Sequence, residues 1–181
     1  SPGRCFGCHG GAATNFLPGP LANSNLTTRT GRRVGRVRSH DRISHAVPFS
    51  ERWGGYYVTG APITLEHLGN TFAERAGGDV RLEKALADGT LDSLEGTVDT
   101  ESFPRGDSHI LPLMVFDHQI EAHNLIVEAR HRDRQYAHEE ETFENGVTAK
   151  TRRDTEAFFD RFVRYLVFAD EVSLSGHEFV A

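Results

Sequence analysis

The chain has 181 residues, enough for one well-buried core, and its balance of 38% hydrophobic and 25% charged residues is that of an ordinary globular protein, neither disordered nor coiled coil. A formal net charge of -6, with no basic run interleaved with aromatics, argues against a nucleic-acid partner; Gly, Ser and Val interrupt the arginines between Arg29 and Arg42. No run approaches the roughly 20 apolar residues that cross a bilayer, so a membrane would be reached only through an anchor outside this sequence or through a partner.

The first feature in chain order is Cys5-Phe6-Gly7-Cys8-His9, which contains both cysteines of the chain. C-x-x-C-H is the attachment pattern of haem c. Two thiols at this spacing can add across the two vinyl groups, and the adjacent imidazole is placed under the iron. A thioredoxin-like pair needs a preceding βαβ pattern, for which the N-terminal residues leave no room. A structural zinc site needs two further ligands, and no second cysteine pair exists. The expectation is one covalent haem c on Cys5, Cys8 and His9. Bacteria attach haem covalently outside the cytoplasmic membrane, which implies a periplasmic or otherwise exported protein.

Residues 12 to 50 read as loops and short strands, with turn signals at Pro18-Gly19-Pro20 and Asn23-Ser24-Asn25 and an edge strand at Arg33–Val37. The aromatic run Arg52–Gly60 is the strongest strand candidate. Its glycines suggest a bend, or close approach to something flat such as the porphyrin. Arg52 and Trp53, with Arg42, offer a guanidinium fork and an indole N–H to haem propionates; the alternative for Arg52 is a surface arginine beside a packed tryptophan. After Pro62 the pattern reads as helix over Ile63–Ala76, broken at Gly77-Gly78, then a shorter helix over Arg81–Ala87 and an acidic connector from 88 to 107.

Ser108 caps a helix running to about His131, with Pro112 tolerated near its start. Leu111, Met114, Val115, His118, Ala122 and Leu125 share one face and Phe116, Ile120, His123 and Val127 the next, a pattern expected at the centre of a core. Asp117 and Glu121 read as a solvated acidic edge, and residues 138 to 150 as a loop. A last amphipathic helix is expected from about Thr151 to Phe168. The fold class that follows is α+β: one domain over 1–181, with a mostly helical C-terminal half packed around one covalent haem and a small N-terminal strand and loop region.

The sixth iron ligand stays open at this level. His67, in Glu66-His67-Leu68-Gly69-Asn70, is followed by a glycine that lets a flat ring come close. His45 could ligate from a loop; His118 or His123 could do so from the long helix. Met114 is the single methionine, though a methionine on an apolar helix face is usually packing. The remaining option is an open site. A filled site implies electron transfer with a redox partner protein, and an open one a haem enzyme or a redox or gas sensor.

The segments Cys5–His9, His45–Phe49, Arg52–Gly60, His67–Asn70, Leu113–Leu125 and Arg164–Glu171 together resemble a group of bacterial exported cytochrome c-like haem-binding proteins. The resemblance covers nearly the whole chain. It implies the haem and the exported compartment, but no reaction. Leu68 stands where members of the group carry methionine, which removes that residue as a ligand and gives weight to His67. Ala61-Pro62-Ile63-Thr64 also departs from the group's pattern. Members run on past the position of Gly176, which implies a fragment of a longer electron-transfer protein.

Overall fold

The computed structural model describes residues 2–37, 44–60, 64–85 and 91–174; His40, Arg42, His177 and the side chain of Cys8 lie outside the described set. The described elements are α1 (Pro2–His9), β1 (Asn25–Thr27), β2 (Arg33–Arg36), β3 (Thr71–Ala76), β4 (Asp79–Lys84), α2 (Ile110–Thr142) and α3 (Ala149–Leu166), with 3-10 turns at Ala12–Thr14 and Phe49–Glu51. This is a mixed α+β fold, strand-rich in its N-terminal half and helical towards the C-terminus. It forms two compact units, one from Ser1–Leu21 with His118–Glu171, the other from Ala22–Asp117 with Val172–Ala181. The division falls within α2.

The strand unit carries one sheet in the order β2-β1-β3-β4. β1 pairs antiparallel with β2 and parallel with β3, while β3 and β4 form a regular antiparallel hairpin from Thr71↔Lys84 to Ala76↔Asp79. Gly77 and Gly78 join them with φ of +61° and +104°. Positive φ at both central residues is what a two-residue hairpin loop with the twist of its strands requires, and glycine adopts it without steric cost. The glycine pair that reads as a helix breaker is therefore a hairpin turn. Where helices were expected over Ile63–Ala76 and Arg81–Ala87, Thr71–Ala76 forms β3 and Arg81–Lys84 belongs to β4; Ile63, Leu86 and Ala87 lie outside the described residues. Glu, Arg, Lys and Ala favour helix locally, but cross-strand pairing such as Glu74 opposite Arg81 overrides that weak preference.

Arg52–Gly60 is not a strand either. It follows the 3-10 turn, bends at Trp53 (φ +63°), and touches neighbouring chain as single bridges from Thr59 to Leu91 and to His109. A Cβ on Gly54 would stand 2.8 Å from Ser24 Oγ and 2.9 Å from the Asn25 carbonyl oxygen. The glycine is needed for the close approach of β1. The core of this unit is Phe49, Trp53, Val58, Leu65 and Ile110, with Tyr56, Leu113, Met114, Val172 and Leu174 against it.

In the helical unit, α3 begins where Thr148 Oγ1 accepts the Thr151 N–H, an N-cap that satisfies one of the helix's otherwise unpaired donors. Its apolar stripe, Phe158 and Tyr165 with Phe162, packs on Leu125, Ala122 and Ala129 of α2. α2 itself departs from expectation in two respects. It continues through Glu139 to Thr142, and it is not apolar-buried all round, since Leu111, Val115, Phe116 and Ile126 are exposed. Its buried positions include Asp117, Glu121, Asn124 and Glu128, polar residues recurring every three or four positions. The acidic edge read as solvated is sequestered.

Candidate functional site

The strand unit buries five of the residues singled out in the sequence: Arg52, Trp53, His45, His67 and, partly, Met114. Arg52 is fully buried. Its Nε donates to the Val47 carbonyl and its Nη2 to the His45 carbonyl, each at 2.6 Å, and its guanidinium lies 4.3 Å from the Phe49 ring centre. It thus clamps the loop that precedes it. Trp53 Nε1 donates to Asp117 Oδ2 at 2.9 Å, and Arg52 Nη1 stands 3.8 Å from the same oxygen. Burial raises the Asp117 carboxyl to about 7, against the opposing effects of the Trp53 hydrogen bond and the Arg52 charge.

His67 meets Trp53 edge-on, with centroids 5.5 Å apart, and its Nδ1 accepts the Gly69 N–H at 3.0 Å. That bond places the proton of the neutral ring on Nε2. Burial first, and the charge of Lys84 second, lower its pKa to about 4. A Cβ on Gly69 would stand 2.3 Å from Val58 Cγ2 and 2.9 Å from His67 Nδ1, so this glycine accommodates protein atoms. Asn70 completes the corner, its Oδ1 accepting the Val58 N–H and its Nδ2 donating to the Val58 carbonyl. His45 is buried and its carbonyl accepts from Val172 N–H.

Cys5, His9, His118 and His123 belong to the helical unit. Cys5 is exposed, a free thiol on α1. His9, also exposed, bonds through Nδ1 to the Gly19 carbonyl oxygen at 3.0 Å. His118 is stacked between Tyr165 and Phe168, with centroids at 4.9 and 3.9 Å, and burial lowers its pKa.

These placements overturn the haem reading. Among the described residues, no group of three or more His, Cys, Asp or Glu side chains is placed to hold a metal ion. Arg52 and Trp53, the expected propionate donors, spend their hydrogen bonds on Val47, His45 and Asp117. His67, His118 and Met114 are packing groups within their own units. Haem c as cofactor, a helical half built around it, and the electron-carrier, haem-enzyme and haem-sensor functions that depended on it are withdrawn, together with the cytochrome-like resemblance.

A site that the sequence reading missed lies in the helical unit. A groove of about 470 Å³ runs between α2 and the first turns of α3, closed at one end by Asn15, Phe16 and Leu17. Asn15 and Phe16 both take positive φ, and Phe16 stands 76% exposed. The floor is Glu128, buried and held by Asn15 Nδ2 at 2.6 Å and by the fork of Arg132, whose Nε and Nη2 donate to Oε1 at 2.9 and 2.8 Å. Arg161 reaches its other oxygen at 3.3 Å, and both arginines lie over the Phe158 ring. Along the α3 wall Lys150 pairs with Asp154, and His131 and Gln135 complete the α2 wall. The signal available in the sequence was the i,i+4 pair Glu128–Arg132; its partner Asn15 is 113 residues away.

Comparison with protein-family models, with curated proteins and with solved structures finds no match to this chain.

Proposed function

We propose that this protein binds a small zwitterionic or otherwise polar molecule in the groove between α2 and α3. The observation that carries the reading is the groove itself: about 470 Å³, within the range of small-molecule sites, with two ion pairs and a histidine along its walls. Glu128 and Arg132 are fixed by each other and by Asn15, so the polar floor is organised before a ligand arrives. Lys150, Asp154 and His131 are exposed enough to exchange their present partners for those of a ligand. Phe16 and Leu17 supply an apolar wall at one end. A molecule bearing both a cationic and an anionic group beside a short apolar part fits this distribution.

The test is a thermal-shift screen of the whole chain against amino acids, betaines and small hydroxy- or amino-carboxylates. At least one compound should raise the unfolding midpoint in a concentration-dependent way, because a ligand that binds only the folded state stabilises it by mass action. The shift should be lost in His131→Ala and Lys150→Ala, both at exposed positions. A panel without any shift, or a shift that both variants retain, would refute the reading.

A further inference from the structure

Among the described residues β4 is the last strand of its sheet, and all six of its residues are exposed. An edge strand presents a row of backbone donors and acceptors ready to pair with another chain. Protein edges are commonly blunted by proline, by a bulge or by charged side chains, which an opposing strand tolerates only where opposite charges meet. Here the register with β3 is regular over all six pairs and the strand contains no proline. Its charges alternate, Asp79, Arg81, Glu83 and Lys84, and sum to zero. Val80 and Leu82, 40% and 48% exposed, lie on the sheet face that carries the buried Ala73, directly opposite Leu82 on β3.

We propose that β4 pairs antiparallel with β4 of a second copy of this chain, joining the two sheets across a two-fold axis. Such an axis, perpendicular to the sheet, keeps equivalent faces together, so only residues of the same parity stand opposite one another. Four registers then compete, centred on Val80, Arg81, Leu82 or Glu83. Centring on Arg81 opposes two arginines and sets Asp79 against Glu83, both of which repel. Centring on Val80 pairs Asp79 with Arg81 but brings fewer residues into register, and centring on Glu83 is as short and opposes two glutamates. Centring on Leu82 places Leu82 opposite Leu82 and Arg81 opposite Glu83 of the partner subunit, twice by symmetry. Charge complementarity excludes the Arg81 register, and the longer run of opposed residues selects the Leu82 register over the Val80 one. Arg29 holds Glu83 through Oε1 at 2.8 Å, which leaves Oε2 for the partner subunit's Arg81.

The experiment is sedimentation velocity on the full chain over a concentration series, for the wild type, Arg81→Glu, Glu83→Arg and an equimolar mixture of the two variants. The wild type should dimerise, and each reversal alone should weaken association about tenfold or more, since two attractive pairs become repulsive. The mixture should recover the dimer, because one variant then offers two acids where the other offers two bases. This recovery also shows that both variants remain folded. A wild type monomeric throughout the series overturns the proposal. So does a dimer unaffected by either reversal, which would put the contact on another surface such as the exposed Phe159, Val163 and Leu166 of α3.

Discussion

Asp117 and His67 are buried in opposite senses, and together they mask each other. The Asp117 carboxyl, raised to about 7, keeps its proton in the folded state where the unfolded chain has released it. Its stabilisation is therefore complete below the ordinary carboxylate range and lost as pH rises to about 7. His67, lowered to about 4, is neutral in the folded state where the unfolded chain is protonated. Its stabilisation is complete above the ordinary histidine value and lost as pH falls towards 4. The two slopes oppose each other over most of the interval from about 4 to about 6.5. Urea unfolding as a function of pH should show stability rising across that interval in Asp117→Asn, where His67 remains together with His118, lowered in the same sense. In His67→Gln stability should fall between pH 4 and 7, and the wild type should be flatter than either variant. Sequence reading found Arg52, Trp53 and His67 as unusual residues but misread what they meet. Burial and hydrogen-bond partners decide their role, and residue type alone carries neither.

At the scale of elements, α3 was legible to within two residues at each end, because an amphipathic apolar stripe is a local pattern. Its N-cap is tied to α2: Glu139 accepts from Thr148 N–H, Thr148 Oγ1 and Thr151 Oγ1. These bonds lower the Glu139 pKa and explain why α2 continues where a loop was expected. Thr148→Ala should cost about 1 kcal/mol of stability through the lost cap. It should also speed hydrogen exchange in the first turn of α3 more than elsewhere in the helix, as measured by mass spectrometry. The β3–β4 hairpin was not legible. Its strands are made of residues with good helix propensity, and only the pairing of six positions with six others makes them extended. A two-glycine signal serves a broken helix and a hairpin equally well.

Across the whole molecule, each compact unit owns a hydrophobic cluster, Leu125–Phe158–Tyr165 in one and Phe49–Trp53–Val58–Leu65–Ile110 in the other. Phe158→Ala should cost about 3–5 kcal/mol as a buried aromatic truncation. It also removes the ring beneath Arg132 and Arg161, the two cations that hold Glu128. Hydrogen exchange should then accelerate in residues 118–166 while β1 to β4 keep their protection, and the groove should lose its ligand-induced thermal shift.

Local sequence pattern is enough to place α3 to within two residues at each end, the first two-thirds of α2 and the edge strand β2, because propensity and periodicity act over a few neighbouring residues. The hairpin, the C-terminal extension of α2, the burial of Asp117, Glu121, Asn124 and Glu128, and the groove arise only when the chain folds. The burial and the groove depend on partners far away in the chain: Trp53 reaches Asp117 across 64 positions and Asn15 reaches Glu128 across 113. A polar helix position reads as solvated until folding brings a donor to it. The physical content of such a position lies in the contact, and the contact exists only in three dimensions.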